Sequence, residues 1–409
     1  MKKYSRKFIL RTLPLLTALL CAGAFFGCSP SAESPAAVSA PPGQMILSDD
    51  LPAADDYAVF FCNVGKADAA ILRFGETAVL IDTGSKASAP QLIAGLNLLG
   101  IEKIEAVFLT HSHSDHIGGL AALAANYHIP MVYSPLYSEQ TKNGEGKIIK
   151  RCDKLDLPHS ELSAGDAVAV ADGVAFDVLG PLEFNEDDDN DNSLVLRFTA
   201  GQTTFLFTGD MQFAEEDTLL EADADLSAGV LKVGNHGNPD ATGESFARAV
   251  SPYVAVISTD TAVDTNSANA RVLAALAPAQ IYLTQDYTLG VLLTPDGGGN
   301  VFISNPERPV RNIDASILSA DTGEQTIVIG GAGETLDLSG CVLYCDRSDA
   351  TLRFPGGTRL NAGGTLAVTG AGGGGDLEFS SEDKPLSKKK ANTVTLYDPY
   401  GVIISSIER

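Results

Sequence analysis

The stretch Leu109-Thr110-His111-Ser112-His113-Ser114-Asp115-His116-Ile117-Gly118-Gly119 decides the fold. It follows directly on the apolar run Ala106 to Leu109, which reads as a short buried strand. Alternate residues of an extended segment point the same way, so His111 and His113 can hold one ion together. The chain then turns into a helix beginning near Ile117, which aims Asp115 and His116 at a neighbouring position. Imidazole and carboxylate together suit zinc, manganese or iron.

Working outward, Ala58 to Asn63 reads as a strand, and Ala69 to Phe74 with Thr77 to Ile81 as a hairpin closed by Gly75 and Glu76. Pro90 to Leu99 carries helical periodicity and ends at Gly100, a natural C-terminal stop. A helix is expected over Ile117 to Ala125 and a strand over Met131 to Ser134. Later strands fall at Val168–Val170, Ala175–Leu179, Ser193–Phe198 and Thr204–Thr208. Two further β/α units then cover Gly229 to Thr284. Strands followed by alternation predict an α/β protein of layered sheets flanked by helices. After Pro306 helical pattern almost disappears. Short apolar runs and glycine turns over 310–409 predict an all-β sandwich.

The motifs in this order resemble those of metallo-β-lactamase-fold hydrolases, whose signature is H-x-H-x-D-H, and specifically the ComEC-like branch. Its D-V-G-Q-G-D opening is matched by Asn63-Val64-Gly65-Lys66-Ala67-Asp68. Leu80-Ile81-Asp82-Thr83-Gly84, Asn192-Ser193-Leu194-Val195-Leu196, Phe207-Thr208-Gly209-Asp210 and Leu231-Lys232-Val233-Gly234-Asn235-His236-Gly237 complete the series. The resemblance spans about residues 57–303 and implies an αββα sandwich over 57–306. It implies two divalent ions, Zn2+ or Mn2+, held by His111, His113, Asp115, His116, Asp210 and His236, with Asp210 bridging. Asp82 would orient a histidine by accepting its other N–H. Asp68 either does the same or caps a turn.

Two departures from the branch stand out. A further ligand histidine is missing: His128 and His159 do not lie at a matching position. The acidic loop Asp187 to Asn192 occupies the approximate place, and it either offers Asp191 or Asn192 as an oxygen ligand or is a solvated turn. An oxygen donor there favours manganese. Relatives also carry His-His-Gly where this chain has Asn235-His236-Gly237, so Asn235 can give the substrate a hydrogen bond but not a proton. Lys232 either balances transition-state charge or is a strand-end lysine.

The resemblance implies attack on a phosphodiester by a water that two metals activate, oriented by Asp115 or Asp210. The substrate expected is DNA, its single-stranded form included, or another phosphodiester. Composition pulls against a polyanion: the 409 residues carry a net charge of −24. Such a surface repels nucleic acid at long range unless metal ions or a local patch reverse the sign. A phosphocholine-type or other small cell-surface ester is the alternative substrate. A surface binding protein with a vestigial metal site is the alternative of a different class.

Residues 1–28 have a basic start, an apolar run from Thr12 to Phe26 of about 15 residues, too short for a spanning helix, and then Gly27-Cys28. This resembles a bacterial lipoprotein signal with Cys28 as the lipidated residue. Residues 29–56 read as a flexible tether, and the chain as exported and anchored to the outer face of the membrane. Cys341 and Cys345, about 13 Å apart in an extended strand, are too distant to bridge and are expected as core residues. Leu336 to Gly340, Phe354 to Thr358, Leu360 to Gly364 and Asn392 to Asp398 resemble a lamin-tail domain over about 311–407. That implies an immunoglobulin-like sandwich with an accessory role toward a cell-surface partner.

Overall fold

The computed structural model describes residues 45–47, 57–138, 146–171, 174–380 and 384–409. The leader, Cys28 and most of the expected tether lie outside them. One part of that tether is structured: β1 (Met45–Leu47) pairs parallel with β16 (Val301–Ser304) at the edge of the first sheet.

That sheet has nine strands. From β1 and β16 it continues through β15 (Gly290–Pro295), β2 (Tyr57–Cys62), β3 (Ala70–Phe74), β4 (Thr77–Ile81), β5 (Lys103–Phe108), β6 (Val132–Pro135) and β7 (His159–Leu162). The second sheet has seven, in the order β14 (Gln280–Leu283), β13 (Val254–Ile257), β12 (Val230–Lys232), β11 (Thr203–Phe207), β10 (Val195–Ala200), β9 (Val174–Gly180) and β8 (Ala167–Ala171).

The sheets face each other, and β2 shows why its sequence is apolar throughout. Val59 and Phe61 enter the core between the sheets with Phe108, Phe176, Phe198 and Phe207. Ala58, Phe60 and Cys62 point the other way, into a core shared with Leu92, Ile93 and Leu96 of α1 (Ala89–Leu98) and Leu120 and Leu123 of α3 (Leu120–Asn126). A strand buried on both faces cannot alternate with polar residues. On the far side, Leu206, Leu231 and Ala255 pack against α5 (Phe213–Glu221), α6 (Glu244–Val250) and α7 (Ala270–Ala275). The layers are therefore αββα. Each fully buried Phe contributes about 1.5–3 kcal/mol.

The helix expected over Ile117 to Ala125 is broken. A short turn, α2 (Ser114–Ile117), stops before Gly118-Gly119, and α3 starts at Leu120. A Cβ at Gly118 would enter the backbone of Ser114 and Lys86, and one at Gly119 the carbonyl of Thr83. The glycine pair lets this turn lie against the Thr83–Lys86 loop. Gly100, at φ 67°, follows α1 as the sequence suggests. Sequence patterning missed α4 (Lys147–Lys154) and α5, whose Glu215 and Glu216 are buried and so hide its core-facing side.

From Ala315 onward the chain is all-β. One four-stranded sheet contains Ala315–Asp321, Thr326–Gly331, Thr365–Thr369 and Leu377–Glu378. Another contains Ala350–Arg353, Val342–Cys345, Thr393–Tyr397 and Ile403–Glu408. Cys341 and Cys345 are free and sit in the core of this region. It docks on the helical face of the first sheet: Arg353 bonds Asn97 Oδ1 at 2.7 Å and pairs with Glu102, and Asn126 donates to the Thr351 carbonyl at 2.9 Å. Among the described residues no helix is long and apolar enough to cross a membrane.

Candidate metal centre

The site lies where the two sheets' strands end. β5 delivers Thr110 and His111, and the α2 turn delivers Asp115 and His116. The β11 end delivers Asp210 and the turn after β12 delivers His236. His111, His116, Asp210 and His236 are almost fully buried, while Asp115 is partly open. Ligand atoms of Asp115, His116, Asp210 and His236 all lie within 4.8 Å of one another. Asp210 Oδ2 is 3.1 Å from His116 Nε2, 3.3 Å from His236 Nε2 and 4.0 Å from His111 Nε2. His113 Nδ1 is 3.0 Å from His111 Nε2.

Their outer nitrogens and neighbours are fixed. Asp82 Oδ2 meets His116 Nδ1 at 2.8 Å, and the same carboxyl accepts from the backbone and hydroxyl of Thr110, each at 2.8 Å. His236 Nδ1 donates to the Ser258 carbonyl at 2.8 Å. Both contacts set the tautomer that leaves Nε2 a lone pair. A second group, Asp68, Asp82 and His116, surrounds the Nδ1 side of the same ring.

Three buried atoms facing this point lack a hydrogen-bond partner among the described residues: His116 Nε2, His236 Nε2 and Asp210 Oδ1. Among the described residues, four carboxylates, Asp68, Asp82, Asp115 and Asp210, are matched there by two ammonium groups, Lys66 and Lys232. Unpartnered imidazole and carboxylate atoms with surplus negative charge fit divalent cations. The clusters are consistent with a binuclear metal site.

The ionisation of these groups follows the same crowding. Burial opposes charge on His116, but Asp210 and Asp82 outweigh it and push the ring well above its ordinary range. His236 rises to about 9, burial being overcome by Asp210 and Asp68. Burial and the neighbouring His116 hold His111 well below. Burial alone would raise Asp115 and Asp210. The imidazoles of His236 and His116 hold both well below the usual carboxylate range, with Lys66 adding to the effect at Asp115. A cation bound here competes with protons on His116 and His236.

Backbone strain concentrates at the same place. Asn235 and His236 adopt left-handed φ values of 43° and 52° before Gly237 at 71°. Two successive non-glycine residues in that region cost on the order of 1–3 kcal/mol each. Asn235 N–H donates to the Gly209 carbonyl and Ala268 N–H to the His236 carbonyl, which hold the turn.

Several expected residues stand elsewhere. Asp191 does not turn toward the histidines: its carboxylate accepts from Gln212 and Glu215 N–H at the start of α5 and from Asn185. Asn192 ties the loop to Asn185 through both its amide atoms. Neither belongs to the donor cluster, because each is consumed closing its own loop. The loop acid that touches the motif is Asp189, which accepts from Ser112 N–H at 2.9 Å and its hydroxyl at 2.6 Å. Lys232 is buried, its ammonium 2.5 Å from Asp68 Oδ2 and bonded to the Val233 carbonyl, so its charge is not free for a reacting group. Asp68 is therefore a partner of Lys232, not a turn cap. Asn235 donates one amide N–H to Asp240 at 3.0 Å. His128 is exposed after α3, and His159 lies on β7. Lys66, which reasoning from sequence passed over, holds Asp115 at 2.8 Å. Its position within Asn63 to Asp68 was the available signal.

The description Metallo-beta-lactamase superfamily matches residues 62–260. ComE operon protein 3 of Bacillus subtilis is 31% identical over 44% of this chain, and the match spans 25% of that relative's length. Exodeoxyribonuclease YycJ of Bacillus anthracis is 27% identical over 39% of this chain and 60% of its own. The metallo-beta-lactamase fold protein YhfI from Bacillus subtilis aligns over 59% of this chain and all of its own, at 12% identity and a TM-score of 0.40. The chain thus spans about a quarter of the length of ComE operon protein 3, to which it is distantly homologous. Residues 62–260 form a domain of the metallo-beta-lactamase superfamily, a metal-binding hydrolase fold with a buried His/Asp site.

Proposed function

We propose that this protein is an exported phosphodiesterase working through two divalent ions. The observation that carries the reading is the set of buried, unpartnered atoms, His116 Nε2, His236 Nε2 and Asp210 Oδ1, beside the His111–His113 pair. His111 and His113 would hold one ion and Asp115, His116 and His236 the other, with Asp210 within reach of both sets. When bound, such ions activate a water and draw charge from a phosphoryl oxygen. Asp82 and the Ser258 carbonyl keep His116 and His236 in the ligating tautomer. Lys66 fixes the rotamer of Asp115, the most open carboxylate of the cluster, at the point where a substrate enters. Asn235 has a second amide N–H beyond the one spent on Asp240, available to a phosphoryl oxygen. The distant relation to proteins named exodeoxyribonucleases supports a phosphodiester bond as the target.

A second substrate reading rests on the cavity of about 790 Å³ beside His113. Glu186, Asp187, Asp188 and Asp189 line it, with Phe184. The carboxyl groups of this lining repel a polyanion and favour a small phosphodiester, including one with a cationic headgroup of the phosphocholine type. Within the same proposal, Cys28 carries a lipid that anchors the chain outside the membrane, and residues 310–409 form a lamin-tail-like accessory domain. Turnover of bis-p-nitrophenyl phosphate by the metal-loaded protein tests the activity. Competition by single-stranded DNA against phosphocholine esters separates the two substrates. Full metal occupancy without turnover of any phosphodiester would leave a binding protein.

A further inference from the structure

A cavity of about 420 Å³ lies outside the metal centre, walled by Asn63 and Gly65, by Ser85 and Gln91 at the start of α1, by Arg308 and by Gly401. Arg308 belongs to the segment between β16 and the C-terminal sheets, and Gly401 to those sheets. The cavity is thus complete only in the full chain. Among the described residues its lining contains no acidic residue, in a protein of net charge −24. Arg308 is the one charged residue among the described residues that line it.

Two of the lining residues carry a buried polar atom without a partner among the described residues: Arg308 Nε, a donor, and Gln91 Oε1, an acceptor. A buried donor or acceptor left unpaired is costly. Arg308 also has no ion pair among the described residues, although the chain is rich in acids. A planar guanidinium with free N–H groups recognises phosphate or carboxylate oxygens in pairs. Gln91 Oε1 adds a requirement of opposite sense, a hydroxyl or N–H on the ligand. The volume lies within the usual range for small-molecule sites. The positive end of the ten-residue helix α1 borders the same space, which adds to the anion preference.

We propose that this cavity is a binding site for a phosphorylated sugar, its phosphate on Arg308 and a hydroxyl donated to Gln91. It shares a loop with the metal centre. Gly65 lines the cavity, Lys66 holds Asp115 and Asp68 holds Lys232. A ligand there bears on the same Asn63–Asp68 segment that sets Asp115.

Calorimetry on the full chain with ribose 5-phosphate, inorganic phosphate and ribose tests this without any need for turnover, so it fails separately from the phosphodiesterase reading. Ribose 5-phosphate is expected to bind wild type and His113→Ala alike, because the site is distinct from the metal centre. Arg308→Gln is expected to weaken it tenfold or more, and Gln91→Leu to weaken ribose 5-phosphate but not inorganic phosphate. Circular dichroism of the two cavity variants checks that they fold. The proposal is overturned if wild type does not bind ribose 5-phosphate. It is equally overturned if binding disappears in His113→Ala while a folded Arg308→Gln retains it, since the phosphate then sits on the metals.

Discussion

Replacing Asp82 by Asn isolates the role of the carboxyl that holds His116 by its outer nitrogen. Asp82 has a left-handed backbone, φ 60°, which Asn tolerates better than other side chains, so the change keeps both shape and turn. In the wild type its carboxyl accepts three hydrogen bonds of 2.8 Å, two from Thr110 and one from His116 Nδ1. An amide presents only one oxygen. If that oxygen stays on Thr110, the amide NH2 faces His116 Nδ1 and favours the tautomer with the proton on Nε2. That proton occupies the lone pair a metal needs. Loss of such an orienting carboxylate typically lowers metal affinity 10–100-fold, or about 1.4–2.7 kcal/mol. The assay is competition for Zn2+ and Mn2+ against a chromophoric chelator, with thermal unfolding of the metal-free protein as a control. Unchanged affinity in a folded Asp82→Asn protein would refute the reasoning, because His116 would then choose its tautomer without Asp82.

His236→Ala is expected to lower both metal occupancy and turnover, whereas Asn235→Ala keeps the metals and loses on the order of 100-fold in kcat if its free N–H meets the transition state; elemental analysis beside kinetics separates the two, and metal loss in Asn235→Ala alone means the pair is misassigned. Glu216 supplies a pH dependence of stability: burial pushes its carboxyl up to about 7 from 4.5, against the pull of Gly243 and Thr242 N–H and of Arg271. The folded chain keeps a proton that the unfolded chain has lost, so this stabilisation is complete below pH 4.5, is lost as pH rises through about 7 and reaches about 3 kcal/mol at most. Thermal unfolding at pH 5 and pH 8 should differ by less in Glu216→Gln than in wild type. Cys28→Ala is expected to release the protein from the membrane fraction, and an unchanged distribution would dismiss the anchor.

Much of the αββα frame could be read from residues because burial on two faces leaves a plain mark. The runs at Ala58, Ala69, Thr77 and Ala106 are apolar beyond what a one-sided strand needs, and each is a strand of the first sheet. The histidine run was equally legible, since alternation fixes which side its members face. Side chains that meet across the chain were not. Asp191 and Asn192 stand at the right place in sequence for oxygen ligands, but only the fold shows that α5 and Asn185 consume them. Lys232 follows the alternation of β12: Val230 faces the core between the sheets and Leu231 the helices, so Lys232 points inward, where Asp68 waits 164 residues earlier. The α5 helix escaped detection because buried Glu215, with neither carboxyl oxygen partnered among the described residues, imitates a solvent-facing position.

Metal content tests the two-ion site most directly. Purified full-length protein, reconstituted with Zn2+ or Mn2+ and dialysed, should retain about two divalent ions per chain by elemental analysis, and His113→Ala should lose at least one. Wild type that holds none after reconstitution would contradict the central claim, since the unpartnered atoms of His116, His236 and Asp210 would then face no cation.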